Sequence, residues 1–148
     1  MNKERVVMIR EAKIDDIGKL SFLASEFMGE TKFLKVDDDV FFKTWENLIN
    51  LGIGTIFIID DFHGALGAVA YPDPNNGEMM ATEMFWIVAK EHRGKGLLLL
   101  ERYEQWAKEK GCTKAIMVHL KDSMPERLKA LYGRSGYEEM ETHYIKEL

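Results

Sequence analysis

The chain has 148 residues, 46% of them apolar and 30% charged, with a formal charge of −5. That is the size and composition of one globular domain with no room for a second core, so a single domain over residues 1–148 is expected. The acidic balance argues against a protein that holds nucleic acid by bulk electrostatics, and the one cysteine, Cys112, leaves no internal disulfide or cysteine-built metal site.

Behind the charged start Met1 to Arg5, the apolar run Val6 to Ile9 is too short for a signal peptide or membrane span. The expectation is a cytoplasmic protein with no membrane partner. Val6 to Arg10 reads as a short strand, after which Asp15 or Asp16 can cap a helix running to about Met28, with Ile17, Leu20, Leu23, Ala24 and Phe27 as its apolar stripe. Asp37 to Asp39 precede a second amphipathic helix, Val40 to Asn50, and read as an N-cap with favourable dipole charges, or as an attractor for a cationic substrate. Thr55 to Ile59 and Ala65 to Tyr71 flank Asp60-Asp61-Phe62-His63-Gly64 and suggest a hairpin. Past a second turn, Pro72 to Gly77, the run Glu78 to Ala89 is long for a strand and reads as a central one buried on much of both faces.

Glu91-His92-Arg93-Gly94-Lys95-Gly96 then opens a helix with Leu99, Leu100, Tyr103, Trp106 and Ala107 facing inward and Gly111 as its stop. Lys114 to Leu120 is expected as a strand, Met124 to Tyr132 as a short helix, and Gly136 to Ile145 as a closing hairpin or pair of strands. The sum is a mixed α/β (α+β) domain with one central sheet and about four helices. The four histidines show no metal-ligand spacing, so no metal is expected.

The stretch richest in chemistry is strand, basic glycine turn, helix. Glycines let a backbone approach a phosphate closely, and the helix that follows presents unpaired N–H groups. The residues fit neither GxxxxGK[ST] nor GxGxxG. Taken alone, Arg93-Gly94-Lys95-Gly96 is equally readable as a plain surface turn.

Set in its context, the chain resembles the GNAT superfamily of acyl-CoA-dependent N-acyltransferases. That family's pyrophosphate signature is [RQ]xxGx[GA], and Arg93-Gly94-Lys95-Gly96-Leu97-Leu98 follows it with Arg93 first and Gly96 fourth. Leu98 departs from the small residue usual in the last position. Met8 to Ala12 looks like the family's opening strand, Val88 to Arg93 like the end of its central strand, and Leu131-Tyr132-Gly133-Arg134-Ser135-Gly136-Tyr137 is similar to its LYxxxGF, with Pro125 where Asn is often found.

The resemblance implies an N-acetyltransferase that moves an acetyl or similar acyl group directly from acetyl-CoA to a primary amine. The acceptor would be a small molecule or a peptide. Residues 93–98 would hold the pyrophosphate through backbone N–H groups, the backbone at Ile87 and Val88 would pair with the pantetheine arm, and Tyr132 would serve the departing thiolate. The family often has a Glu near mid-strand as base. Glu83 is the nearest match, with Thr82 aligned about as well and Glu78 further out, and its apolar neighbours Met84, Phe85 and Trp86 would raise its pKa. A homodimer is compatible with this reading, although no particular residue argues for one. Leu98 and Pro125 motivate a competing reading, a coenzyme A-binding regulatory module without turnover. A third is an interaction protein whose methionines form a partner surface.

Overall fold

A computed structural model describes residues 6–29, 31–121 and 124–148. The expected connection between the first two helices includes Glu30, which lies outside them. The chain forms two compact units, up to Ile116 and from Met117 onward.

In the first unit a five-stranded sheet has the order β1 (Ile9–Glu11), β2 (Gly54–Ile59), β3 (Gly64–Pro72), β4 (Met79–Val88) and β5 (Lys114–Ile116). Neighbours are antiparallel except β4 and β5, which are parallel. Helices α1 (Ile17–Met28) and α2 (Asp38–Asn50) pack on one face, where Ile17, Leu20 and Ala24, Trp45, Ile56, Ile58, Ala65, Phe85 and Ile87 form one buried cluster. Each large aliphatic side chain taken from water there contributes about 1.5–3 kcal/mol. Helix α3 (Gly96–Glu109) buries Leu99, Leu100, Tyr103, Trp106 and Ala107, the inward set its spacing predicts, and Gly111 follows with φ +77.

Asp37 caps α2, its carboxylate accepting from Val40 N at 3.0 Å. Asp16 precedes α1 without capping it. Its two oxygens instead accept from the Arg10 guanidinium at 2.7 and 3.0 Å and from Lys13 N at 2.8 Å, so a charge-assisted fork to β1 has replaced the expected cap.

The expected strand Lys114 to Leu120 ends early, at Ile116. Its ladder with β4 covers only Met80 to Thr82, and the Tyr103 hydroxyl donates to Ile116 O at 2.9 Å where pairing stops. The second unit contains α4 (Pro125–Arg134), with Pro125 in its first turn. The closing hairpin expected over Gly136 to Ile145 is absent, and residues 137–148 form no strand. Met140, Tyr144 and Ile145 are exposed there, so this glutamate-rich segment buries too little apolar surface to offset the cost of ordering a ladder.

Candidate active site

Strand β4 positions the first candidate. Gly67 of β3 stands opposite Phe85, but the next residue, Ala68, stands opposite Glu83, so Met84 is looped out as a β-bulge. Directly opposed residues share a face of a sheet. Leu66, Ala68 and Ala70 share one face of β3, and the Leu66 partner Trp86 is the residue on which α3 begins at Gly96. Glu83 is therefore turned to the α3 face, whereas Phe85 and Ile87 lie on the α1/α2 face. Sequence alternation alone would group all three.

Glu83 is 8% exposed, and no hydrogen bond or ion pair joins its carboxyl to a described residue. Burial raises its pKa from the ordinary carboxylate range to about 8. Of the alternatives for its role, Thr82 is half-buried and its hydroxyl pairs with Tyr71 Oη at 3.0 Å, and Glu78 lies before the strand with its carboxylate bonded to Thr113.

Beyond Thr82, β4 pairs only with β3 among the described residues. The edge that β5 would have occupied, at Glu83, Ile87 and Val88, has no ladder partner among the described residues and runs toward the basic turn. There Gly94 has φ +108, a conformation costly for any residue with a side chain, and no atom lies within 4 Å of where its Cβ would stand. Arg93, Leu97 and Leu98 are exposed, and the first turn of α3 follows. The N–H of Leu98 is turned back to Lys95 O at 3.1 Å and that of Lys95 to His92 O at 3.3 Å. Those of Gly94, Gly96 and Leu97 have no carbonyl partner given by the turn. An open, positive-φ glycine beside a cation at a helix N-terminus fits a pyrophosphate.

Gly96 has a different reason to be glycine. A Cβ there would stand 3.2 Å from side-chain atoms of both Trp86 and Val88, so the residue is buried against β4 and its missing side chain permits close helix–strand packing. Of the two glycines, Gly94 alone faces open space.

The Lys95 side chain does not extend freely from the turn. Its Nζ lies 3.3 Å from Asp60 Oδ2, in the β2–β3 turn. Asp60 itself has φ +48, accepts from Met8 N at 2.9 Å through Oδ1, and donates its own N–H to Met8 O at 2.7 Å. The Met8 N–H, and after it Lys95, hold the Asp60 carboxyl below the usual carboxylate range. His63 Nδ1 is 3.6 Å from Asp60 Oδ2, and its ring stacks on His92 with centroids 3.6 Å apart and planes 4° from parallel. Ala89 N donates to His63 O at 2.9 Å. Sequence reasoning missed Asp60, His63 and His92 as a group, since only the hairpin brings them to a turn some thirty residues away.

In the second unit Tyr132 is buried on α4. Its hydroxyl donates to Val118 O at 2.7 Å and its ring lies 5.8 Å from Tyr137 and 6.4 Å from His119. Among the described residues no three His, Cys, Asp or Glu side chains gather as a metal site would require. A shallow depression of about 490 Å³ lies on the α1 side of the first unit, lined by Lys19, Phe22, Leu23 and Phe62, and shares no residue with the candidates above.

The acetyltransferase (GNAT) family pattern matches residues 22–137, and the chain belongs to that family. It is an acyl-CoA-dependent N-acetyltransferase with acetyl-CoA as co-substrate. No curated protein sequence matches it. Among solved structures it is similar to a predicted acetyltransferase from Clostridium acetobutylicum, solved with acetyl-CoA, at 17% identity and TM-score 0.77 over 96% of both chains. It is also similar to a transcriptional regulator from Bacillus halodurans C-125, at 20% identity and TM-score 0.79 over 97% of this chain and 100% of that one. A third is the ribosomal-protein-alanine N-acetyltransferase of Brucella melitensis biovar Abortus 2308, at 20% identity and TM-score 0.73 over 97% and 99%. These likenesses establish the five-stranded mixed sheet with its helices as a GNAT fold.

Proposed function

We propose that the chain acetylates a primary amine of a small molecule or peptide by direct transfer. The donor's pantetheine arm would lie along the free edge of β4 at Ile87 and Val88, with its pyrophosphate on residues 93–98. The observation that carries this reading is the early end of the β4–β5 ladder at Thr82, which leaves a strand edge leading to an open, basic, positive-φ turn. When bound, acetyl-CoA supplies the activated thioester carbonyl and a thiol leaving group.

An alkylammonium with a pKa near ~10.4 costs roughly 4–5 kcal/mol to deprotonate at pH 7, so a base is useful. Glu83 takes that proton. A carboxylate with a pKa of about 8 is far better matched to an amine than an ordinary one. Tyr132 supplies a proton to the departing sulfur, for which its single O–H turns away from Val118 O, the acceptor it bonds in the ligand-free chain. The match over residues 22–137 crosses both compact units, which supports one catalytic domain over 1–148.

Within this reading the protein is cytoplasmic, with no nucleic-acid or membrane partner; none of the described helices is long and apolar enough to cross a membrane. A homodimer is compatible with it. The test is an acetyl-CoA consumption screen against polyamines, amino acids, aminoglycosides and peptide amines. Turnover with one class identifies the acceptor. Coenzyme A binding with no turnover on any class would instead favour a regulatory module, the role suggested by Leu98 and Pro125.

A further inference from the structure

The β2–β3 turn is fastened to the basic turn by three contacts that acyl transfer itself does not require. Ala89 N bonds to His63 O, the His63 ring lies flat on that of His92, and Lys95 pairs with Asp60. They act on successive points of one segment, just before, within and just after the residues that lead into Arg93. All converge on Asp60 and His63, and Asp60 is in turn fixed to the chain ahead of β1 by reciprocal bonds with Met8.

We propose that Asp60 is a positioning residue for the acyl donor. Its carboxylate draws the Lys95 side chain back to the β2–β3 turn and so fixes how the Gly94, Gly96 and Leu97 N–H groups face the phosphates. Lys95 is on this account an anchor rather than a phosphate ligand. Its side chain is three-quarters buried and its charge is matched by Asp60. The arrangement resolves an apparent conflict. A carboxylate close to an anion site should weaken binding by repulsion, yet one that orients several backbone donors can strengthen it, because preorganised N–H groups need no rearrangement when the ligand arrives. The inference rests on the phosphate-turn assignment made above.

The experiment is calorimetric titration of coenzyme A into the wild type, Asp60→Asn, Lys95→Met and the double variant, with steady-state kinetics where an acceptor is in hand. Asp60→Asn keeps an oxygen for the Met8 N–H and removes the charge, and Lys95→Met keeps the aliphatic stem. Each single variant is expected to weaken coenzyme A binding about tenfold, the scale of one charge-assisted hydrogen bond, and the double variant no further. KM for acetyl-CoA should rise in step while kcat stays within about twofold. Unchanged binding in Asp60→Asn overturns the proposal. So does tighter binding, which would make Asp60 only a repelling charge, and so does an additive loss in the double variant, which would make Lys95 a direct ligand. If Asp60→Asn does not fold, Lys95→Met decides alone, with unchanged affinity counting against. A wild type that does not bind coenzyme A fails differently, since it removes the phosphate-turn assignment and this inference with it.

Discussion

Glu83 stands opposite Ala68 rather than in step with Phe85, because Met84 has dropped out of the β3–β4 ladder between them. One looped-out residue thus moves a carboxyl from the aromatic α1/α2 face to the α3 face. Buried there without a described partner, it holds its proton to about pH 8.

The sign of the pH dependence follows. In the unfolded chain Glu83 ionises near its ordinary value of 4.5, and in the folded protein near 8. The folded state therefore binds the extra proton between these values, so the Glu83 contribution to stability is fully present below pH 4.5 and falls until about pH 8. Glu83→Gln should be more stable than wild type at pH 8, by on the order of 4 kcal/mol, and nearly equal to it at pH 4. Denaturant melts at both pH values measure this, and equal stabilities at pH 8 would contradict it.

The same substitution tests chemistry. As the base, Glu83 must be ionised, so wild-type kcat should climb with pH to a plateau above about 8. Glu83→Gln should lose that inflection along with roughly 10²-fold in kcat. A variant with the wild-type profile would return the role to Thr82 or to a water chain.

Tyr132→Phe removes the hydroxyl bonded to Val118 O and leaves the ring. As the acid, its loss should lower kcat by roughly 10²–10³-fold with acetyl-CoA affinity little changed. As a purely structural group, its loss should cost only about 1 kcal/mol of stability. Measuring kcat, cofactor affinity and Tm on both proteins separates the two.

The two glycines of the basic turn should fail in different ways. Gly96→Ala puts a methyl against Trp86 and Val88, and overpacking of this kind costs about 1–3 kcal/mol, so Tm should fall in the absence of any ligand. Gly94→Ala meets no neighbour but must hold φ +108, so its cost is backbone strain or a relaxed turn, with coenzyme A affinity the sensitive readout. Saturating acetyl-CoA, at a hundredfold excess over its Kd, should add about 2.7 kcal/mol to the wild type and less to Gly94→Ala.

Much of this was legible in the chain. The inward positions of α3, the Asp37 cap, the β2–β3 hairpin and the basic turn all follow from local periodicity and turn chemistry, which one segment carries by itself. The face of Glu83 was not, because a bulge is a relation between two strands and nothing in Thr82 to Phe85 announces it. The reason Gly96 lacks a side chain was not legible either, because sequence cannot show which neighbour a missing Cβ would strike; here it is Trp86 and Val88. The closing strands failed for an energetic reason: Met140 and Tyr144 alternate in the right chemistry but find no surface to cover. The Asp60, His63, His92 and Lys95 group required residues far apart in the chain to be brought together by the sheet.

The edge of β4 past the end of the β5 ladder also bears on how the protein behaves at high concentration. A strand edge left uncovered by a ladder invites a strand from another molecule, and Ile87 and Val88 on this stretch are apolar and uncharged. A ligand whose amide-bearing arm fills that edge would then do more than present an acetyl group. It would act as a plug against self-association, so the ligand-free protein should scatter light and precipitate sooner than the same protein stored with coenzyme A.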